Sequence, residues 1–187
     1  MIDVPLKRVA VDLVGEIFPV SSRGHRYILT VVDYATRYPE AVPQKDISAI
    51  TVAEAIVSIF SRIGIPQEIL SNQGTQFTSN LMKEVERLLS MKQLTTTPYH
   101  PQCNGLVERF NETLKTMLKR MCSEKPKDWD RYIDALLFAY REAPQESLGF
   151  AAFEMLYGRT VNGPLQILRQ LLGLQSDISN FSSTLLR

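Results

Sequence analysis

The chain has 187 residues, 44% of them hydrophobic and 22% charged, with a formal net charge of +1. That length and balance suit a single globular domain with a proper core. They exclude an apolar run long enough to span a bilayer and a strong basic field of the kind that advertises nucleic acid, so any DNA contact must rest on local placement of Lys and Arg. Cys103 and Cys122 form no Cys-x-x-Cys pair, which argues for a reduced compartment and against a disulfide framework. With His25 and His100 spaced as they are, a His-His-Cys-Cys zinc module is excluded as well. Met1 to Pro5 reads as a short lead into a strand rather than a signal sequence.

The segment Val9 to Val14 predicts a strand with Val9, Val11 and Leu13 on one face and Ala10, Asp12 and Val14 on the other. After a Ser21–Gly24 turn, Tyr27 to Val32 is a continuous β-favouring run, as for a strand covered on both faces. A third strand near Tyr38 to Val42 completes an antiparallel meander. The period then changes. Ile50, Ala53, Ile56, Val57, Phe60 and Ile63 recur at helical spacing, with Ser48 as N-cap and Gly64 with Pro66 as the stop. Gln67 to Ser71 is a short strand, and Leu81, Val85, Leu88 and Leu89 mark a second helix. The prolines and threonines of Thr95 to Gln102 oppose helix. A third helix runs from about Gly105 to Cys122 with Phe110, Leu114, Met117, Leu118 and Met121 as its buried stripe. Trp129, Ile133, Leu136, Leu137 and Tyr140 mark a fourth, and a short amphipathic piece near Phe153 to Leu156 ends at Gly158. Residues 1–172 are therefore expected to form the domain, and the Ser-rich residues 173–187 a loose tail.

Taken singly, the polar residues inside this pattern are ordinary. Asp12 on a strand asks only for a salt bridge or a cation. Glu108 in the first turn of a helix, on a face with Asn111, Glu112, Lys115 and Lys119, is favoured there by the helix dipole. Their order is less ordinary. Asp12, then Ser71-Asn72-Gln73-Gly74-Thr75-Gln76-Phe77, then Glu108 follow one another, with 35 residues between Asn72 and Glu108.

Together with Val31-Val32-Asp33-Tyr34, Tyr99-His100-Pro101-Gln102, Asn104-Gly105-Leu106-Val107-Glu108-Arg109-Phe110-Asn111 and Tyr157-Gly158-Arg159, these words resemble the integrase core of Ty3/gypsy-type retrotransposons and retroviruses, over roughly residues 6 to 172. The resemblance implies an α/β, RNase H-like fold, a five-stranded mixed sheet flanked by helices. It implies DNA integration by polynucleotidyl phosphoryl transfer, with two Mg²⁺ or Mn²⁺ ions held at positions 12, 72 and 108. Asp12, Asn72 and Glu108 are then the catalytic and metal-site positions. Asn111, Lys115 and Lys119 would face DNA, bound weakly and without sequence preference. Pro98 to Gly105 would be the loop at the active site, with Tyr99, His100 and Cys103 in it. A homodimer, a nuclear setting and no membrane association complete the implied picture.

This chain departs from the pattern at one decisive place. Where the family carries a second acid, it has Asn72, which removes a negative charge from a site meant to balance two dications. Cys103, Leu148 and Ala151-Ala152 also differ from the usual residues. Catalysis is accordingly expected to be impaired. Two further readings stand beside it: a module that uses the fold for protein association, through Trp129, Ile133 and Leu137 or the segment near Phe153, and a relic of a mobile element.

Overall fold

The computed structural model describes residues 4–95 and 105–172. The readings made of Pro98 to Asn104 and of the tail 173–187 lie outside these residues. Five strands form one sheet: β1 (Arg8–Gly15), β2 (Tyr27–Asp33), β3 (Pro39–Gln44), β4 (Glu68–Ser71) and β5 (Lys92–Thr95). Their order across the sheet is β3-β2-β1-β4-β5. The first three are the expected antiparallel meander. β4 and β5 add in parallel beyond β1, and each is reached through helices, as parallel pairing requires. Helix α1 (Ala49–Ile63) leads to β4, and the short α2 (Thr75–Thr78) with α3 (Asn80–Leu88) leads to β5. The remaining elements are α4 (Gly105–Met121), a 3₁₀ turn (Pro126–Arg131), α5 (Ile133–Glu142), α6 (Ala152–Tyr157) and α7 (Pro164–Leu171).

The two-residue period of the strands divides the core in two. Val9, Val11, Leu29, Val31 and Ile69 pack with Val52, Ile56, Ile59 and Phe60 of α1 and Met82 of α3. Ala10, Val14, Ile28 and Val32 point the other way, onto Phe110, Leu114 and Leu118 of α4 and Ile133 and Leu137 of α5. Burying a Leu, Ile or Phe side chain is worth about 1.5–3 kcal/mol each, so both helical layers are held firmly. Ser48 caps α1 as expected, accepting the Thr51 N–H.

Several sequence expectations shift. Ile50 and Val57 are exposed, because α1 turns Val52, Ala55 and Ile59 inward instead. In α3 the buried positions are Met82 and Glu86, while Leu81 and Leu88 face out. In α4 Met121 is exposed and Val107 and Asn111 are buried. Trp129, Ile133 and Leu137 lie within the second core cluster, so they are not free to form an association surface. The stretch read as one fourth helix is broken at Tyr132 between the 3₁₀ turn and α5.

At the β3 edge of the sheet, Arg141 of α5 donates through both Nε (3.0 Å) and Nη2 (2.7 Å) to the Pro39 carbonyl. It also pairs with Glu40 at 2.7 Å and lies over the Tyr38 ring at 4.4 Å. Arg62 of α1 reaches the same carboxylate at 3.2 Å. This half-buried cluster joins α1, β3 and α5. Tyr157 of α6 stacks edge-on to Tyr38 with ring centroids 5.7 Å apart, which docks α6 on the same edge.

Candidate active site

The sheet register brings residues 12 and 72 together. Ala10 of β1 lies opposite Leu70 of parallel β4, so Asn72, just past the end of β4, falls level with Asp12. Asp12 projects from the face that also carries Ala10 and Val14, the face covered by α4. Helix α4 presents Glu108 in its first turn and Asn111 one turn later. All three predicted site residues are therefore at the same end of the sheet.

Their contacts are specific. Asn72 Nδ2 donates to Asp12 Oδ1 at 3.3 Å, and Asn111 Nδ2 donates to Asp12 Oδ2 at 2.9 Å. The Asn72 Oδ1 atom accepts the Gly74 N–H at 2.9 Å, the turn that Asn makes with its own backbone two residues on. Gly74 suits this closeness, since a Cβ there would come within 2.9 Å of Asn72 Oδ1 and one of the two side chains would have to shift. Both oxygens of Asp12 thus face amide N–H groups.

Burial pushes the Asp12 carboxyl above its ordinary pKa, and the nearby Glu108 charge pushes the same way. The Leu13 N–H, the Lys115 ammonium and the Asn111 amide oppose the shift. Glu108 itself is exposed.

Asn111 departs from its expected place. It was placed on an outward face with Lys115 and Lys119, yet it is only 4% exposed and holds Asp12 from beneath. Its Oδ1 is buried with no hydrogen-bond partner. The signal in the sequence is its spacing, four residues after Val107 and three before Leu114, which puts it in the buried stripe of α4. Lys115 and Lys119 are exposed as expected, and Lys115 pairs with Glu112 at 2.9 Å.

A pair of divalent cations does not fit these residues. Hard cations take oxygen ligands, preferably anionic. The side-chain oxygen of Asn72 accepts the Gly74 N–H, and its amide nitrogen donates to Asp12, so Asn72 turns a donor and not an anionic ligand toward that carboxylate. Among the described residues, no group of three or more His, Cys, Asp or Glu side chains is placed to hold a metal ion.

The comparisons with known proteins agree with this frame. The family model described as "Integrase core domain" matches residues 4–101. The chain is 30% identical over 158 residues to the retrovirus-related Pol polyprotein from transposon 412 of Drosophila melanogaster, covering 84% of this chain and 13% of that protein. It is 33% identical over 140 residues to Gypsy retrotransposon integrase-like protein 1 of Mus musculus, covering 75% and 27%. The chain thus spans under a third of the length of these relatives. Among solved structures, the HTLV-2 integrase catalytic core domain in complex with magnesium superposes with a TM-score of 0.70 at 18% identity, covering 82% of this chain and 98% of that one. The integrase of a simian T-cell lymphotropic virus intasome, solved with a PP2A regulatory subunit, superposes at 0.75 and 18% identity, covering 86% and 57%. These likenesses identify the five-stranded mixed sheet and its helices as RNase H-like. With a family model matched across half of its sequence, this chain belongs to the integrase core domain family.

Proposed function

We propose that this domain is a retrotransposon-type integrase core that retains nucleic-acid binding and has impaired polynucleotidyl transfer. The observation that carries this reading is the amide at position 72, turned toward Asp12 and engaged on its other side by Gly74. Two carboxylates, Asp12 and Glu108, with the amides of Asn72 and Asn111 donating to Asp12, do not make the anionic oxygen set that the family's chemistry uses, and no transfer step is assigned to them. Exposed Lys115 and Lys119 on α4, beside this site, give the domain a phosphate-contacting stripe. Binding through so few cations is weak, indifferent to sequence and lost steeply with salt.

A disintegration assay on branched DNA tests the reading, with the native chain, Asn72→Asp, and Asn72→Asp with Glu108→Gln compared in Mg²⁺ and Mn²⁺. The native chain is expected to be silent, and any recovery in Asn72→Asp should be lost again with Glu108→Gln. Native activity equal to that of Asn72→Asp refutes the impairment. Fluorescence anisotropy with Lys115→Ala/Lys119→Ala tests the binding half, and affinity unchanged by that pair moves the DNA face elsewhere.

Self-association is the second reading, and α1 favours it. Ile50 and Val57 lie seven residues apart on one outward face and are both exposed. A similar HTLV-2 core was solved in a dimeric form. Light scattering after size exclusion, with Val57→Glu as the control, distinguishes a dimer from a monomer.

A further inference from the structure

A groove remains beside the site just described. It runs between the β1–β2 connection and the last turns of α4, and it continues onto the 3₁₀ turn. One cavity of about 480 Å³ has Ile17, Phe18, Leu118 and Trp129 in its walls. A second, of about 430 Å³, adjoins it across Pro19 and Pro126, which line both. Volumes of this size are those of small-molecule sites. The walls are tied together across the sequence. Ser22 donates to the Lys127 carbonyl through its backbone N–H at 2.8 Å and its hydroxyl at 3.2 Å. Trp129 Nε1 donates to the Pro19 carbonyl at 3.1 Å, and His25 Nδ1 lies 2.6 Å from the buried Asp130 carboxylate. The groove is thus preformed. Phe18, on its rim, is nonetheless 74% exposed among the described residues.

The charge is as uneven as the polarity. Lys115, Lys119, Lys125 and Lys127 line the two cavities against one acid, Asp128. That leaves three positive charges here in a chain of net charge +1, so the rest of the molecule is net negative. Asp128 is already turned to Arg131 at 3.6 Å and Lys115 to Glu112 at 2.9 Å. Lys119, Lys125 and Lys127 have no ion-pair partner among the described residues. An anionic occupant is therefore indicated. No arginine lines either cavity, which favours phosphate over carboxylate, since planar carboxylates are best matched by the guanidinium fork and lysine serves phosphate as a point charge. Lys115, which lines the first cavity, is also near enough to Asp12 to act on its charge, so the groove lies beside the candidate active site.

We propose that this groove holds an unpaired nucleotide of a single-stranded nucleic acid, its base on Phe18 and its flanking phosphates on Lys119, Lys125 and Lys127. The proposal rests on the nucleic-acid reading above and adds a subsite to it. A base within a duplex has both faces covered and cannot enter a recess of this kind, whereas a splayed base stacks on an aromatic ring regardless of its identity. The groove thus selects single strands or frayed ends over duplex.

The test uses the full chain and a short single-stranded oligonucleotide carrying 2-aminopurine at one position, with a duplex of the same sequence for comparison. Single-strand binding should exceed duplex binding, and 2-aminopurine fluorescence should change on binding. Phe18→Ala, at an exposed position, should weaken single-strand affinity about five- to tenfold with the salt dependence unchanged. Lys125→Ala/Lys127→Ala should lower the slope of log affinity against log salt by about 1.4. Both variants should leave duplex binding as it was. If duplex and single strand bind the native chain equally and Phe18→Ala changes neither, the groove proposal fails while nucleic-acid binding stands. If neither oligonucleotide binds, both readings fail. Displacement of the oligonucleotide by polyglutamate as readily as by unlabelled strand of equal charge also overturns the proposal, in favour of an acidic peptide.

Discussion

Asn72→Asp is the most informative substitution in this domain, because it changes one atom's chemistry and leaves the turn intact. An aspartate still accepts the Gly74 N–H that Asn72 Oδ1 accepts at 2.9 Å. On the other side, a donor is replaced by an acceptor. The Asn72 Nδ2 atom, now 3.3 Å from Asp12 Oδ1, becomes a carboxylate oxygen facing another. Two unit charges at that separation repel by about 5 kcal/mol at an effective dielectric constant of 20. Rotation of the half-exposed side chain reduces the net penalty to roughly 2–3 kcal/mol. For a domain of this size that is a fall in Tm of about 5–10 °C. The pair shares a proton at low pH, so the penalty should vanish there. It should also vanish when a cation enters, because a ligand that binds only the folded state stabilises it. Thermal melts in EDTA and in millimolar MgCl₂ read this directly. Asn72→Asp is expected to melt below the native chain in EDTA and to recover in Mg²⁺, while the native chain melts alike in both. A native Tm that rises in Mg²⁺ as far as the variant's, or a variant that melts with the native chain in EDTA, refutes the reasoning.

Asn111→Ala removes the 2.9 Å bond to Asp12 and leaves a half-buried carboxylate short of a donor, which should lower stability by about 1–2 kcal/mol in a urea titration; no change would show that the amide does not support Asp12. Glu86 is buried in α3, and burial holds its carboxyl up to about 7, above the ordinary 4.5. The folded state therefore binds more protons than the unfolded one between those values, and stability should fall by up to about 1.4 kcal/mol per pH unit as pH rises from 4.5 to 7. Glu86→Gln should flatten that part of the stability–pH curve, and an unchanged curve would assign the dependence to other groups. His25→Ala leaves the buried Asp130 without its 2.6 Å partner and should cost about 3 kcal/mol, read by urea denaturation; a loss under 1 kcal/mol would mean that Arg23 or water compensates.

What could be read from the sequence followed the apolar residues. The alternation along Val9 to Val14 gave both the strand and the side of the sheet from which Asp12 projects, because each face is buried in its own cluster. Strand β5 was not readable, since Lys92-Gln93-Leu94-Thr95 is a short, partly exposed edge with no apolar period. The four-residue α2 has only Phe77 buried and so left no pattern. In α3, leucines set the predicted face, but Met82 and Glu86 are the inward pair one turn apart. The positions of Asp12, Asn72 and Glu108 were legible as words in order. The hydrogen bonds among Asp12, Asn72 and Asn111 were not, because they depend on the β1–β4 register and on how α4 is rotated over the sheet.

The Arg141 fork on β3 bears on how the molecule behaves at high concentration. The Tyr38 and Gln44 carbonyls accept bonds from Asp33 and Arg26, so the backbone groups of Pro39, Ala41 and Pro43 are those turned away from β2. Two of these residues have no N–H to offer, and Arg141 already occupies the Pro39 carbonyl. Among the described residues of β3, Ala41 alone has both an N–H and a C=O on this outer side, too little for a neighbouring chain to add a strand. The β3 margin is thereby closed to edge-to-edge pairing, and Arg141→Met would reopen part of it to a neighbouring strand.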